Sequence, residues 1–327
     1  MPHAVGHSLA GPPLPPAGHL RGAVVSLRVR NFRLFWFGQF ISGSGTWMQS
    51  VAQAWLVLGL SRSPLVLSTV IALQFLPMLA LALVGGVVAD RLPKRRVLLV
   101  TNSVAALQAL ALGLLITTGE VRLWHVYALA LLLGLTNAFT GPAQQSFVPE
   151  MVGRELVPQA VALNSIQINA ARMLGPALGG VAIATLGLAQ AFYLNAASYL
   201  PAILTLVAIR ARELRVQSGR PSGSALAQLR EGLAYVRGSQ PLLLVVLMLA
   251  GMGTFGFNWQ TLVPLLARDS FGQDATGLGV LMSAMGLGTL AASFALAYSP
   301  RASESRLLAA AGALGGILVL LGMSPWY

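Results

Sequence analysis

The stretch GVVADRLPKRR (residues 86–96) joins two long apolar runs, 64–88 and 97–118. Its single acid, Asp90, is followed by Arg91, Lys94, Arg95 and Arg96. Charges at this density are too costly to sit in hydrocarbon, so the stretch reads as a short loop at a membrane surface. The excess of basic residues assigns that surface to the cytoplasmic side.

The rest of the composition agrees. The chain has 327 residues, of which 56% are hydrophobic and 9% charged, with a mean hydropathy of +0.73. Soluble domains carry about 25% charged residues, so there is too little polar material here to cover a water-exposed surface. The formal charge of +12 lies in short loops between apolar runs rather than on one basic face, which argues against nucleic acid as a partner. The absence of cysteine excludes disulfides and thiolate-bound metals. His3, His7 and His19 lie in the N-terminal tail and His125 at a helix entrance, so no metal site is expected.

Apolar runs of bilayer length follow one another at 34–60, 64–88, 97–118, 124–146, 163–187, 190–209, 241–266, 276–298 and 307–323. Each is expected to be a helix, since lipid offers no partner for backbone polar groups. Four segments result: a disordered, basic cytoplasmic tail (1–33), a six-helix half (34–209), a cytoplasmic linker (210–240) and three further helices (241–327). Within the linker, residues 225–236 form a short amphipathic segment. With the N-terminus inside, 17 of the 21 basic residues fall on the cytoplasmic side and three outside, while Arg172 lies within a span.

Several patterns inside the spans carry chemistry. Gly86 is expected to let a neighbouring helix approach closely. Asp90 is placed to pair with an arginine or to accept from backbone at the start of the next helix, as a conformational lock requires. The plainer reading of the loop is a positive-inside anchor. In the fifth span, Gly175, Pro176, Gly179 and Gly180 combine a helix-bending proline, which frees the carbonyl of Arg172, with small residues for close packing. Arg172 either faces a cavity or snorkels to the cytoplasmic surface. Polar residues recur at helical spacing: Gln39, Ser42, Thr46, Gln49 and Gln53 in the first span; Asn137, Thr140 and Gln144 in the fourth; Ser165, Asn169 and Arg172 in the fifth; Thr254, Asn258 and Thr261 in the seventh. Such stripes are either interhelical glue or the wall of a shared cavity. Four of them on four helices favour a shared water-accessible cavity lined by Gln39, Thr46, Gln49, Gln53, Asn137, Gln144, Asn169, Arg172 and Asn258.

The 86–96 loop resembles the signature G-x-x-x-D-R-x-G-R-R of the major facilitator superfamily, matched at Gly86, Asp90, Arg91, Lys94 and Arg95, with Pro93 in place of glycine. GPALGG (175–180) is similar to the fifth-helix motif of antiporter-type exporters in that superfamily. GTWMQ (45–49), AWLV (54–57) and the stretch from PheValProGlu (147–150) to Ser165, running on through RMLGP (172–176), resemble the enterobactin-exporter-like branch of siderophore and drug exporters.

The resemblance implies an all-α polytopic membrane protein of two six-helix halves, here with three helices of the second. It implies secondary active export of an amphipathic small molecule by alternating access, in a bacterial cytoplasmic membrane. The energy would come from an ion gradient, of protons, without a cofactor. The partners it implies are the small-molecule substrate and the bilayer. No acid lies mid-membrane as a visible proton carrier, and no enzymatic motif appears. A second reading is a membrane scaffold or non-transporting remnant; a third, the membrane subunit of an ATP-driven importer, is disfavoured by the 86–96 loop and the six-helix half. A chain ending after nine spans is expected to be poorly stable and not to transport by itself.

Overall fold

In a computed structural model, the structure describes residues 24–61, 63–215, 234–251 and 259–298, together with residues 309, 312, 313, 315 and 316. The described residues are almost entirely helical. The first six spans become seven helices: α1 (Arg30–Leu60), α2 (Pro64–Ala80), α3 (Ala82–Arg91), α4 (Lys94–Thr117), α5 (Leu123–Val152), α6 (Val157–Leu186) and α7 (Leu188–Ala208). Beyond the linker come α8 (Gln240–Gly251), α9 (Trp259–Leu265) and α10 (Ala275–Tyr298). Most helices extend past the apolar cores read from the sequence, because a helix continues into water once its first turns are made. α5 and α6 each have 30 residues, about 45 Å at the helical rise and longer than the hydrocarbon is thick.

Packing in the first half repeats with a shift of three spans. α1 packs against α6 and α7, and α5 packs against the α2–α3 pair and α4, while α4 and α7 close on each other. Moving each span on by three turns the first set of pairs into the second, the pattern of a nested three-helix repeat. Close approach is built from glycine. An added Cβ at Gly134 of α5 would lie 2.6 Å from the carbonyl oxygens of Leu73 and Gln74 on α2. One at Gly45 of α1 would lie 2.5 Å from Asn195 Oδ1 on α7. α6 and α7 are joined by Gly187 alone, at φ 101°, a conformation that side chains disfavour.

Four expectations are corrected. The run 64–88 is not one helix: it breaks at Leu81 into α2 and α3, with an angle of 59° between Pro64–Ala80 and Val84–Arg91. Pro77, one turn before the break, has no N–H to return to the carbonyl of Leu73, which weakens the helix there, and Gly134 of α5 lies against that carbonyl. The tail does not extend to residue 33, because Ser26–Arg28 form a 3₁₀ turn and Arg30–Arg33 the first turn of α1. The linker does not leave the bundle at 210. Asn31 of α1 exchanges two hydrogen bonds with the backbone of Arg210 (3.1 and 3.2 Å), and the Arg215 N–H donates to the Glu150 carbonyl at 2.8 Å. These bonds hold residues 210–215 against the ends of α1 and α5. The fifth helix begins at Val157 rather than 163, which places Arg172 near its middle.

Among the described residues, α4, α5 and α7 are long and apolar enough to cross a membrane by length and composition alone, and the bent α2–α3 pair makes a fourth span. α1 and α6 are as long, but their polar residues dilute them. The ninth span, but for scattered helical residues, and most of the linker lie outside the described residues, as do Thr254 and Asn258.

Candidate functional site

The 86–96 loop ties three helix ends together through its cations. Lys94 pairs with Glu150 at 2.9 Å, and the Glu150 side chain, at the end of α5, is only 9% exposed. Arg95 donates through Nε to the Leu206 carbonyl (2.7 Å) and through Nη2 to that of Val207 (2.8 Å). Those carbonyls belong to the last turn of α7, where a cation also meets the negative end of the helix dipole. Asp90, Arg91 and Arg96 are exposed and have no ion pair among the described residues. Two expectations for this loop therefore change. Asp90 does not pair here, because the loop's arginines are drawn to the α7 carbonyls or out to solvent. Gly86 has open space around it, whereas an added Cβ at Gly85 would run into the carbonyl of Ala138 on α5. The break at Leu81 turns Gly85, not Gly86, toward that helix.

The polar stripe of α1 resolves into separate bridges. Gln39 accepts from Gln144 Nε2 of α5 at 2.8 Å. Thr46 shares a 3.0 Å hydrogen bond with the hydroxyl of Tyr199 on α7. Gln49, 2% exposed, donates to Gln108 Oε1 of α4 (3.1 Å) and accepts from Asn195 Nδ2 of α7 (2.6 Å). It lies inside the first half, joining three helices. Gln53 accepts from Gln74 Nε2 of α2 at 3.1 Å, and its own Nε2 is buried without a partner. Gln53, Gln74 and Ser50 line a cavity of about 30 Å³ that Met282 of α10 also lines. That volume holds a water or two and is polar enough to keep them. A drug-sized molecule needs about 300 Å³ or more, which this cavity does not supply.

On α6, Asn169 turns back to the Ser165 carbonyl at 3.0 Å. The Arg172 guanidinium lies over the Trp47 ring of α1, 4.9 Å from its centroid. Its Nε is buried and has no hydrogen-bond partner. The glycine motif works as a packing seam. An added Cβ at Gly175 would sit 2.6 Å from the Ser44 carbonyl, one at Gly179 2.9 Å from that of Met48, and one at Gly180 3.1 Å from the Cα of Gly279 on α10. Pro176 is buried within a continuous helix. Asn137 is half-buried on α5.

At the end opposite the 86–96 loop, α10 and the turn after α9 close on α1. Val51, Ala267, Leu278 and Met282 form a buried cluster, and Arg268 donates to the Leu58 carbonyl at the end of α1. The bridging partners Gln74, Gln108, Asn195, Tyr199 and Glu150 were not singled out from the sequence. An isolated amide or carboxylate in an apolar run was the available signal, and spacing within one helix says nothing of a partner on another. Among the described residues no group of His, Cys, Asp or Glu could hold a metal ion.

Residues 21–325 match the family described as transmembrane secretion effector. The chain is 28% identical over 306 residues to the multidrug efflux pump Tap of Mycolicibacterium fortuitum, covering 89% of this chain and 73% of that protein. It is 25% identical over 268 residues to the staphyloferrin A transporter of Staphylococcus aureus (81% and 66%). It is 29% identical over 248 residues to the enterobactin exporter EntS of Escherichia coli (75% and 58%). It thus spans 58% to 73% of the length of these relatives. They are transporters, not enzymes. The helical bundle, the apolar spans and a match over nearly the whole chain lead to one assignment: this multi-pass membrane protein belongs to the transmembrane secretion effector family of the major facilitator superfamily.

Proposed function

We propose that the protein exports an amphipathic small molecule across a bacterial cytoplasmic membrane by alternating access, with its N-terminus inside and an ion gradient, of protons, as the energy source. The observation that carries this reading is the closure of the second group of helices onto the first at one end of the molecule. At one end, α10 and Arg268 are closed onto α1. At the other, Asp90, Arg91 and Arg96 are exposed and have no ion pair among the described residues. Closure at one end is one of the two states between which a rocking transporter alternates. The polar cavity at Gln53 and Gln74 lies where the two groups of helices meet, as a substrate path requires. The names of the relatives, a drug efflux pump and two siderophore transporters, support a substrate of amphipathic type.

The test is accumulation of a panel of amphipathic drugs and catecholate siderophores in cells lacking their own exporters. Expression of the protein should lower accumulation of at least one compound, and a protonophore should restore it. Equal accumulation of every compound with and without the protein would reject export.

A further inference from the structure

Arg172 is 15 residues from the start of α6 and 14 from its end, about 21–22 Å from either at the helical rise. With the helix centred in hydrocarbon about 30 Å thick, that leaves about 15 Å to either surface, more than an arginine side chain spans. The helices packed on α6 are α1, α5, α7 and α10, and their one acid, Glu150, is paired with Lys94 at the end of α5, so no free carboxylate on them meets the guanidinium. Its Nε is buried without an acceptor, and the contact that holds it is the face of Trp47. A cation–π contact fixes the plane of the guanidinium and leaves its N–H edge free to donate. Trp47 lies one helical turn before Ser50, on the face of α1 that lines the cavity. Gln53 Nε2, on the cavity wall, is another buried donor with no acceptor. Uncompensated positive charge and spare donors thus gather on the surface where the two groups of helices meet, with no anion supplied by the helices that form it.

We propose that Arg172, oriented by Trp47, binds an anionic oxygen of the substrate (a carboxylate, phenolate or catecholate), so that the exported molecule is an amphipathic anion. This rests on the export reading and narrows it. The bidentate edge of a guanidinium matches two such oxygens, and the same charge repels cationic amphiphiles. A lipid phosphate would offer the same oxygen chemistry, so the experiment separates the two sources.

The natural chain has no cysteine, so Ser50→Cys provides a single reporter on the cavity wall. Its labelling rate by a negatively charged methanethiosulfonate is compared with that by a positively charged one of similar size. Both are normalised to an uncharged reagent, which corrects for any change in folding. In phosphatidylcholine vesicles the anionic reagent should win by tenfold or more. Adding Arg172→Gln should erase that preference, and Arg172→Lys should keep most of it. The same ratio with Arg172→Gln as without it would overturn the proposal, as would failure of all three reagents to react. A preference that is absent in phosphatidylcholine vesicles yet present in phosphate-free maltoside micelles would assign Arg172 to a lipid phosphate and also overturn it. No transport is measured, so this inference and the export reading can fail separately.

Discussion

An added methyl group at Gly85 would meet the Ala138 carbonyl, whereas at Gly86 it would meet nothing within 4 Å. The difference decides what each residue tolerates. Gly85→Ala forces α3 away from α5 and should cost about 1–3 kcal/mol, the usual penalty of overpacking. Gly86→Ala places a better helix former in α3 without a clash and should be neutral or stabilising by up to about 1 kcal/mol. Thermal unfolding of the two variants in detergent checks this, and equal melting temperatures would refute it. The sequence signature points to Gly86 because its spacing to Asp90 matches. It could not show which of two adjacent glycines faces a neighbour, since one residue turns a helix by about 100°.

At the scale of the element, α1 carries five polar side chains at helical spacing, yet they do different work. Gln49 bridges α4 and α7 within the first half, and Gln53, one turn on, opens onto the cavity. Gln49→Leu would leave Gln108 and Asn195 without their partner. Interhelical hydrogen bonds in membranes average about 0.6 kcal/mol, and stranded buried polar groups cost about 1–3 kcal/mol. A loss of about 1–2 kcal/mol is therefore expected, with the substrate profile unchanged. Gln53→Leu should do the reverse, sparing stability and altering the profile. Melting temperature together with accumulation of the compound panel distinguishes the two, and a shifted profile in Gln49→Leu would place that residue in the substrate path.

For the whole molecule, the loop at 86–96 divides its charges between holding and switching. Lys94 and Arg95 fasten α4 to α5 and α7, contacts internal to the first half that a rigid-body movement would preserve. Asp90 is exposed and unpaired in the arrangement described. Its loss should change stability by less than about 0.5 kcal/mol, as at other exposed positions. If Asp90 finds its partner when the two groups of helices close at this end, Asp90→Asn should still reduce efflux at least tenfold while insertion and melting temperature stay at wild-type values. Efflux at the wild-type rate in that variant would show that the lock does not use this carboxylate.

The sequence by itself determined the class of the protein. Apolar runs of bilayer length leave the backbone no choice but helix, and one charged loop with its resemblance pointed to the superfamily. Those signals are local: length, composition and spacing along one chain. Only the tertiary structure decided what each polar residue meets. Lys94 finds Glu150, 56 positions away, and Gln49 finds Asn195, 146 away. The same holds for the break at Leu81, where Pro77 weakens the helix and a glycine on α5 receives the freed carbonyl. Periodicity places residues on a common face of a helix, but which helix covers that face is settled when all of them pack.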